Sequence, residues 1–144
     1  MQGSVRQILD RYVGECDAGL AVLTAAINAC VDLRHLHDGS WPFACRGPAC
    51  ELLWRAAHAQ RASALLRLAA VLVRLEQNAE EMEKKTSKEM PEELMRLVRA
   101  DLAMRKKMVQ DVTAGTSRPH ETLVLYQDVW RLSPTLTDRR FEDL

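Results

Sequence analysis

The sequence predicts an all-α protein: a long antiparallel, coiled-coil-like helical hairpin with a third helix and a short C-terminal helix, in one domain over residues 1–144. Three observations lead there. Apolar residues make up 47% of the chain while aromatics are only 5%, so Leu, Ala, Val and Met must build the core. Apolar positions recur at steps of three and four, the spacing of one helix face. Most of the six glycines and five prolines fall in the stretches that interrupt this rhythm.

The first helix is predicted over about 4–37. Ser4 and Gln7 form a capping box, each side chain able to satisfy an orphan amide at the helix start. From Val5 the stripe runs through Ile8, Leu9, Tyr12, Cys16, Leu20, Leu23, Ile27 and Cys30, and Gly39 and Pro42 stop it. The second helix, about 49–85, begins near Pro48, whose missing N–H has no partner in a first turn anyway. Its seam reads Leu53, Ala57, Gln60, Ala64, Leu68, Val71, Leu75, Ala79 and Met82. Both helices are about 50 Å long at 1.5 Å per residue, and the short link between them makes them antiparallel. Trp41 and Phe43 in that link are expected to cap the hairpin core. The third helix, about 91–114, carries Leu94, Leu97, Val98, Leu102, Met108, Val109 and Val112, with Gly115 placed as a C′ glycine. A fourth covers about 118–132 and Pro134 closes it. The tail 135–144 holds Phe141 among charges and reads as either flexible or a docking peptide.

Twenty basic and twenty acidic residues leave no net charge to draw the chain to nucleic acid or a membrane, and direct binding to either is not expected. The apolar run at 68–73 lies between Arg67 and Arg74, far short of the roughly 20 residues that span a bilayer. The mixed N-terminal residues lack a signal-peptide core, so a soluble intracellular protein with reduced cysteines is expected.

The sharpest candidate for chemistry is the set His35, His37, Cys45 and Cys50, two imidazoles and two thiols of the kind that hold zinc tetrahedrally. Its spacings do not match the common zinc-binding arrangements, and the plainer expectation is no metal and no cofactor. Cys45 with His35 or His37 is the only conceivable nucleophile–base pair, and no Gly-rich phosphate loop exists, so no enzyme is expected. Arg96, Arg99, Arg105, Lys106 and Lys107 make part of the third helix basic. Interspersed acids make this a solvated face rather than a phosphate site. Met82, Met90, Met95, Met104 and Met108 read as fillers of a helical seam before an adaptable partner groove. His58 and His120 stand alone.

The closing stretch HETLVLYQDVWRLSP (120–134) is the most informative. Leu123, Tyr126 and Trp130 share one helix face, widened by Val129, and Pro134 ends it. Folded back, this face buries against the bundle; turned outward, it is a set of partner anchors. Residues 96–134, with Leu and Arg/Lys on one helix, a polar turn, then Tyr126, Trp130 and Pro134 at Tyr-x-x-x-Trp-x-x-x-Pro spacing, resemble the cyclin-dependent kinase 2-interacting protein family. The resemblance implies a non-catalytic nuclear adaptor subunit. Its partners would be an AAA-type ATPase complex of pre-60S ribosome maturation and protein extraction, and cell-cycle kinase, replication or checkpoint factors. In that reading Leu123, Tyr126, Val129, Trp130 and Pro134 bind the partner. Two alternatives are a self-associating coiled-coil structural subunit of another complex and a small zinc-binding module.

Overall fold

The computed structural model describes residues 4–38, 48–85, 91–114, 120–133, 135–137 and 139–142. Four α-helices follow in order: α1 (Val5–Asp38), α2 (Pro48–Lys84), α3 (Glu92–Ala114) and α4 (His120–Leu132), then a short 3-10 turn at Arg139–Phe141. Helix ends agree with the sequence reading to within two residues. Trp41, Phe43, Met90, Gly115 and Pro134, to which the sequence reading gave capping, packing or closing roles, lie outside the described residues.

α1 and α2 form the hairpin. The capping box closes as expected: the Ser4 amide donates to Gln7 Oε1 at 3.0 Å and the Gln7 amide to Ser4 Oγ at 3.3 Å. Pro48 opens α2, and Glu51 in the same turn faces the positive end of the helix dipole. α3 starts with Glu92 and Glu93, which benefit from the same field.

The core is a single cluster fed by all four helices and the tail. Ile8, Tyr12, Leu23 and Ile27 of α1 meet Leu68, Leu75 and Met82 of α2. Val98, Leu102 and Val112 of α3, and Leu123 and Trp130 of α4, complete it. Met82, Met95 and Met108 are buried and Met104 packs against them, so these methionines fill the seam. By length and composition α1 contains one stretch, Val5–Leu36, apolar enough to cross a membrane, which the sequence reading did not single out. Here that helix is the spine of the bundle, with its apolar stripe covered by α2, α3 and α4.

α3 stops at Ala114, and at this end Cys30 and Arg61 reach its last carbonyls, Val112 and Thr113. Beyond that level most of α2 lacks cover: Leu52, Leu53 and Trp54 are exposed, and Leu53 and Gln60 leave the expected seam. The His58 ring packs edge-on against Trp54, with centroids 4.6 Å apart.

The tail is not free. Phe141 is buried in the core, and Arg6 of α1 donates to its backbone carbonyl at 2.9 Å. Arg140 also pairs with Glu93. Over the described residues 135–137 and 139–142 this corrects the reading of the tail as a flexible or docking segment: Phe141 belongs to the core, where burying a phenyl ring stabilises by about 1.5–3 kcal/mol.

Candidate interaction surface

α4 is held by a buried polar network, and that network decides which of its faces remains outside. Asp101 and Arg105 of α3 are both completely buried, one helical turn apart. Arg105 Nε donates to Asp101 Oδ2 at 2.7 Å and Nη2 to Oδ1 at 3.3 Å, the two-pronged geometry that carboxylate and guanidinium share. Tyr12 of α1 donates its hydroxyl to Asp101 Oδ2 at 2.7 Å, and Thr135 donates to Oδ1 at 3.1 Å. The carboxylate therefore accepts four hydrogen bonds, which offsets much of its desolvation.

Arg105 also ends α4. Its Nη1 donates to the Trp130 carbonyl at 3.1 Å, an acceptor left orphaned in the last turn, and Nη2 donates to Ser133 Oγ. A cation at a helix C-terminus sits favourably against the dipole. The guanidinium lies 4.6 Å from the Trp130 ring centre, a cation–π stack in a dry site. Ser133 then turns the chain with φ of 45°, a left-handed conformation that usually falls to glycine, while its amide donates to Val129 O at 3.2 Å.

Trp130 completes the lock from the other side. Its indole N–H donates to the Cys16 carbonyl of α1 at 2.8 Å. Gly19, one turn on, is where the ring comes down: a Cβ built there would lie 2.9 Å from Val71 Cγ1 and 3.0 Å from Trp130 Cζ2. A mid-helix glycine costs about 1 kcal/mol of propensity, and here it permits α1, α2 and the indole to meet.

Burial sets the protonation of this centre. Desolvation, reinforced by the Asp101 carboxylate, raises the Tyr12 phenol well above its ordinary value. Burial pushes the Cys16 thiol up to about 12. For Arg105 burial works against the charge, yet the hydrogen bond to Asp101 and its neighbours more than offset it and the guanidinium stays above its usual value. Tyr12, Cys16 and Arg105 therefore all keep their protons at neutral pH, and the centre holds helices together.

The residues expected to bind a partner are thus placed otherwise. Leu123 and Trp130 are 2% and 1% exposed and belong to the core. Tyr126 and Val129 pack against it, with the Tyr126 hydroxyl donating to Asp111. In this structure the four hold α4 down rather than offering themselves; Pro134 lies outside the described residues. Arg105 corrects the picture of a solvated basic face, being wholly buried. Arg99 and Lys106, a heptad apart, do share a face, and both clasp Glu76 of α2, at 2.9 and 2.5 Å. The hydrogen bond from Lys106 holds the Glu76 carboxyl below its usual value, and the bond that Arg99 donates to Glu83 raises the guanidinium above its own. Lys107 pairs with Asp111 and Arg96 with Glu92 along α3.

Of the zinc candidates, His35 is exposed and Cys50 half-buried, while Cys45 and the His37 side chain lie outside the described residues. Among the described residues no three His, Cys, Asp or Glu side chains converge.

What remains outside is apolar. α4 turns Val124, Leu125 and Leu132 to solvent, the last two 56% and 64% exposed. α2 turns out Leu52, Leu66 and Val73, at 67%, 74% and 56%. Sequence reasoning missed both sets because it followed the strongest stripe of each helix. The signal was the apolar residues left over once that stripe is removed, themselves seven residues apart. The chain has no match among known protein families, curated proteins or solved structures.

Proposed function

We propose that this chain is a non-catalytic adaptor subunit whose work is to hold partner proteins. The observation that carries the reading is the outward apolar side of α4, with Leu125 and Leu132 a heptad apart on a helix whose inner side is locked to the bundle. A group of apolar side chains left in water on an element fixed to the bundle offers anchors for another molecule. Binding of this kind needs placement of a few anchors and no reactive group.

The family resemblance of residues 96–134 names the partners this reading favours. They are an AAA-type ATPase complex acting in pre-60S maturation and protein extraction, and cell-cycle kinase, replication or checkpoint factors, all met in the nucleus. The ATPase supplies the energy and this subunit the geometry. The resemblance rests on Tyr126, Trp130 and Pro134, the first two of which the bundle takes up; the outward face is proposed as the contact from the exposure of Leu125 and Leu132.

The test is co-purification from cell extract with tagged wild-type chain and a Leu125→Glu/Leu132→Glu variant whose helicity is verified. ATPase subunits should accompany the wild type and be lost from the variant. Retention by both would move the contact off α4. Recovery of neither an ATPase nor a cell-cycle partner with the wild type would end the adaptor reading.

A further inference from the structure

We infer that the outer face of α2 is an antiparallel self-association surface, occupied by α2 of a second copy of this chain. α2 carries two apolar stripes. One, from Ala57 through Leu68 and Leu75 to Met82, is buried in the bundle. The other, Leu52, Ala59, Leu66 and Val73, repeats every seven residues on the opposite side and is exposed throughout. A strict heptad is the period that keeps a seam facing another helix; a helix with only solvent outside has no use for it.

The sizes along the seam select the occupant. Leu52, Leu66 and Val73 alternate with alanines, and exposed Ala49, Ala56 and Ala70 stand beside them. Laid antiparallel on a copy of itself, the stripe sets Leu52 over Ala70, Leu66 over Ala56 and Val73 over Ala49. Ala59 then meets Ser63 near the two-fold axis. Each large side chain thus meets a small one, and the layers keep even thickness, as knobs-into-holes packing needs. In a parallel pair Leu66 would meet Leu66 and Ala59 would meet Ala59, giving alternately crowded and hollow layers.

Charge does not forbid the pairing. Of the cations bordering the stripe, Arg55 is paired with Glu51 at 2.7 Å and Arg74 with Glu15 of α1 at 2.8 Å; Arg67 is exposed beside Leu66, where salt screens it rather than weakening the seam. Contact is therefore apolar, and added salt should not weaken it. A stripe of this length covers on the order of 500 Å² per copy and 1,000 Å² in all, the lower edge of specific interfaces, where contacts are weak or transient. The surface is separate from the α4 face of the adaptor reading, and neither inference depends on the other.

Sedimentation of the purified full chain across roughly 1–200 µM tests this, in a range set by the expected affinity. The mass should rise from 16.3 kDa toward twice that value and hold in 0.5 M salt, while Leu66→Glu, folded by circular dichroism, should weaken association at least tenfold. Leu125→Glu/Leu132→Glu should leave it unchanged. Orientation is read by oxidising cysteine variants in a background with Cys45 and Cys50 replaced by Ser. Leu52→Cys/Ala70→Cys should cross-link between copies and Leu66→Cys alone should not. A folded wild type that stays monomeric at the highest concentration overturns the proposal. So does a dimer indifferent to Leu66→Glu, or cross-linking through Leu66→Cys alone. A monomer that loses an extract partner on Leu66→Glu assigns the stripe to another protein and likewise refutes the second copy.

Discussion

Removing the Arg105 guanidinium should be the most damaging single change to this fold. Arg105→Ala leaves Asp101, wholly buried, with only the Tyr12 and Thr135 hydroxyls as donors. Breaking a buried pair from one side costs about 3–5 kcal/mol, because the other charge stays in the interior uncompensated. The Trp130 carbonyl falls back on the longer bond from Ser133 Oγ at 3.4 Å, and this and the lost stack on its ring add to the cost. A domain of this size has about 5–15 kcal/mol of stability in total, so the variant forfeits about a fifth of it or more. At about 2–4 °C per kcal/mol, the melting temperature should fall by on the order of 10 °C. Urea unfolding followed by circular dichroism gives the free energy. Trp130 emission, in a background with Trp41 and Trp54 changed to Phe, reports whether α4 leaves first. A second arm separates charge from mere volume: Arg105→Met with Asp101→Leu and Tyr12→Phe replaces the buried ion pair and the Tyr12 hydroxyl by apolar groups, leaving the half-buried Ser133 and Thr135, and should recover at least half of the loss. A single variant costing less than about 1 kcal/mol at unchanged denaturant slope would refute the reasoning, since that is no more than an exposed ion pair is worth. A triple variant no more stable than Arg105→Ala would do the same.

Gly19→Val should destabilise by about 1–3 kcal/mol in the same assay, as overpacking against Val71 and Trp130 outweighs the gain in helix propensity, whereas Gly14→Ala, with open space at its Cβ, should stabilise slightly. Alkaline pH should unfold the protein through the buried acids. The Cys16 thiol is raised from 9.0 to about 12, so the folded chain keeps a proton that the unfolded chain releases. Its contribution is complete below pH 9 and falls by about 1.4 kcal/mol per pH unit between 9 and 12. Tyr12 adds to the loss above its ordinary value of 10.0. Urea midpoints against pH should show this slope, and Cys16→Ala should flatten the part between 9 and 10; an unchanged slope would contradict the assignment.

The four helices, their order and nearly all of their ends could be read from the sequence because the signals are local. A capping box joins Ser4 to Gln7, a helix bond spans four residues, and a glycine or proline acts where it stands. The inner stripes of α1 and α3 were legible for the same reason, as each is the single apolar face its helix has. Tertiary structure decided what local signals leave open. α2 carries two apolar stripes, and periodicity alone does not say which one a neighbour covers. On α4 the Leu123–Trp130 face went inside and Leu125 and Leu132 stayed out, because Trp130 finds a carbonyl on α1 and room over Gly19, both more than a hundred residues earlier in the chain. Arg105 looked like one cation among several on a wet face. Asp101, a turn away, was in plain view, but burying the pair also needs Tyr12, Ser133 and Thr135 to satisfy it. Those partners come from distant segments, and a charge goes inside only when the fold delivers all of them to one place.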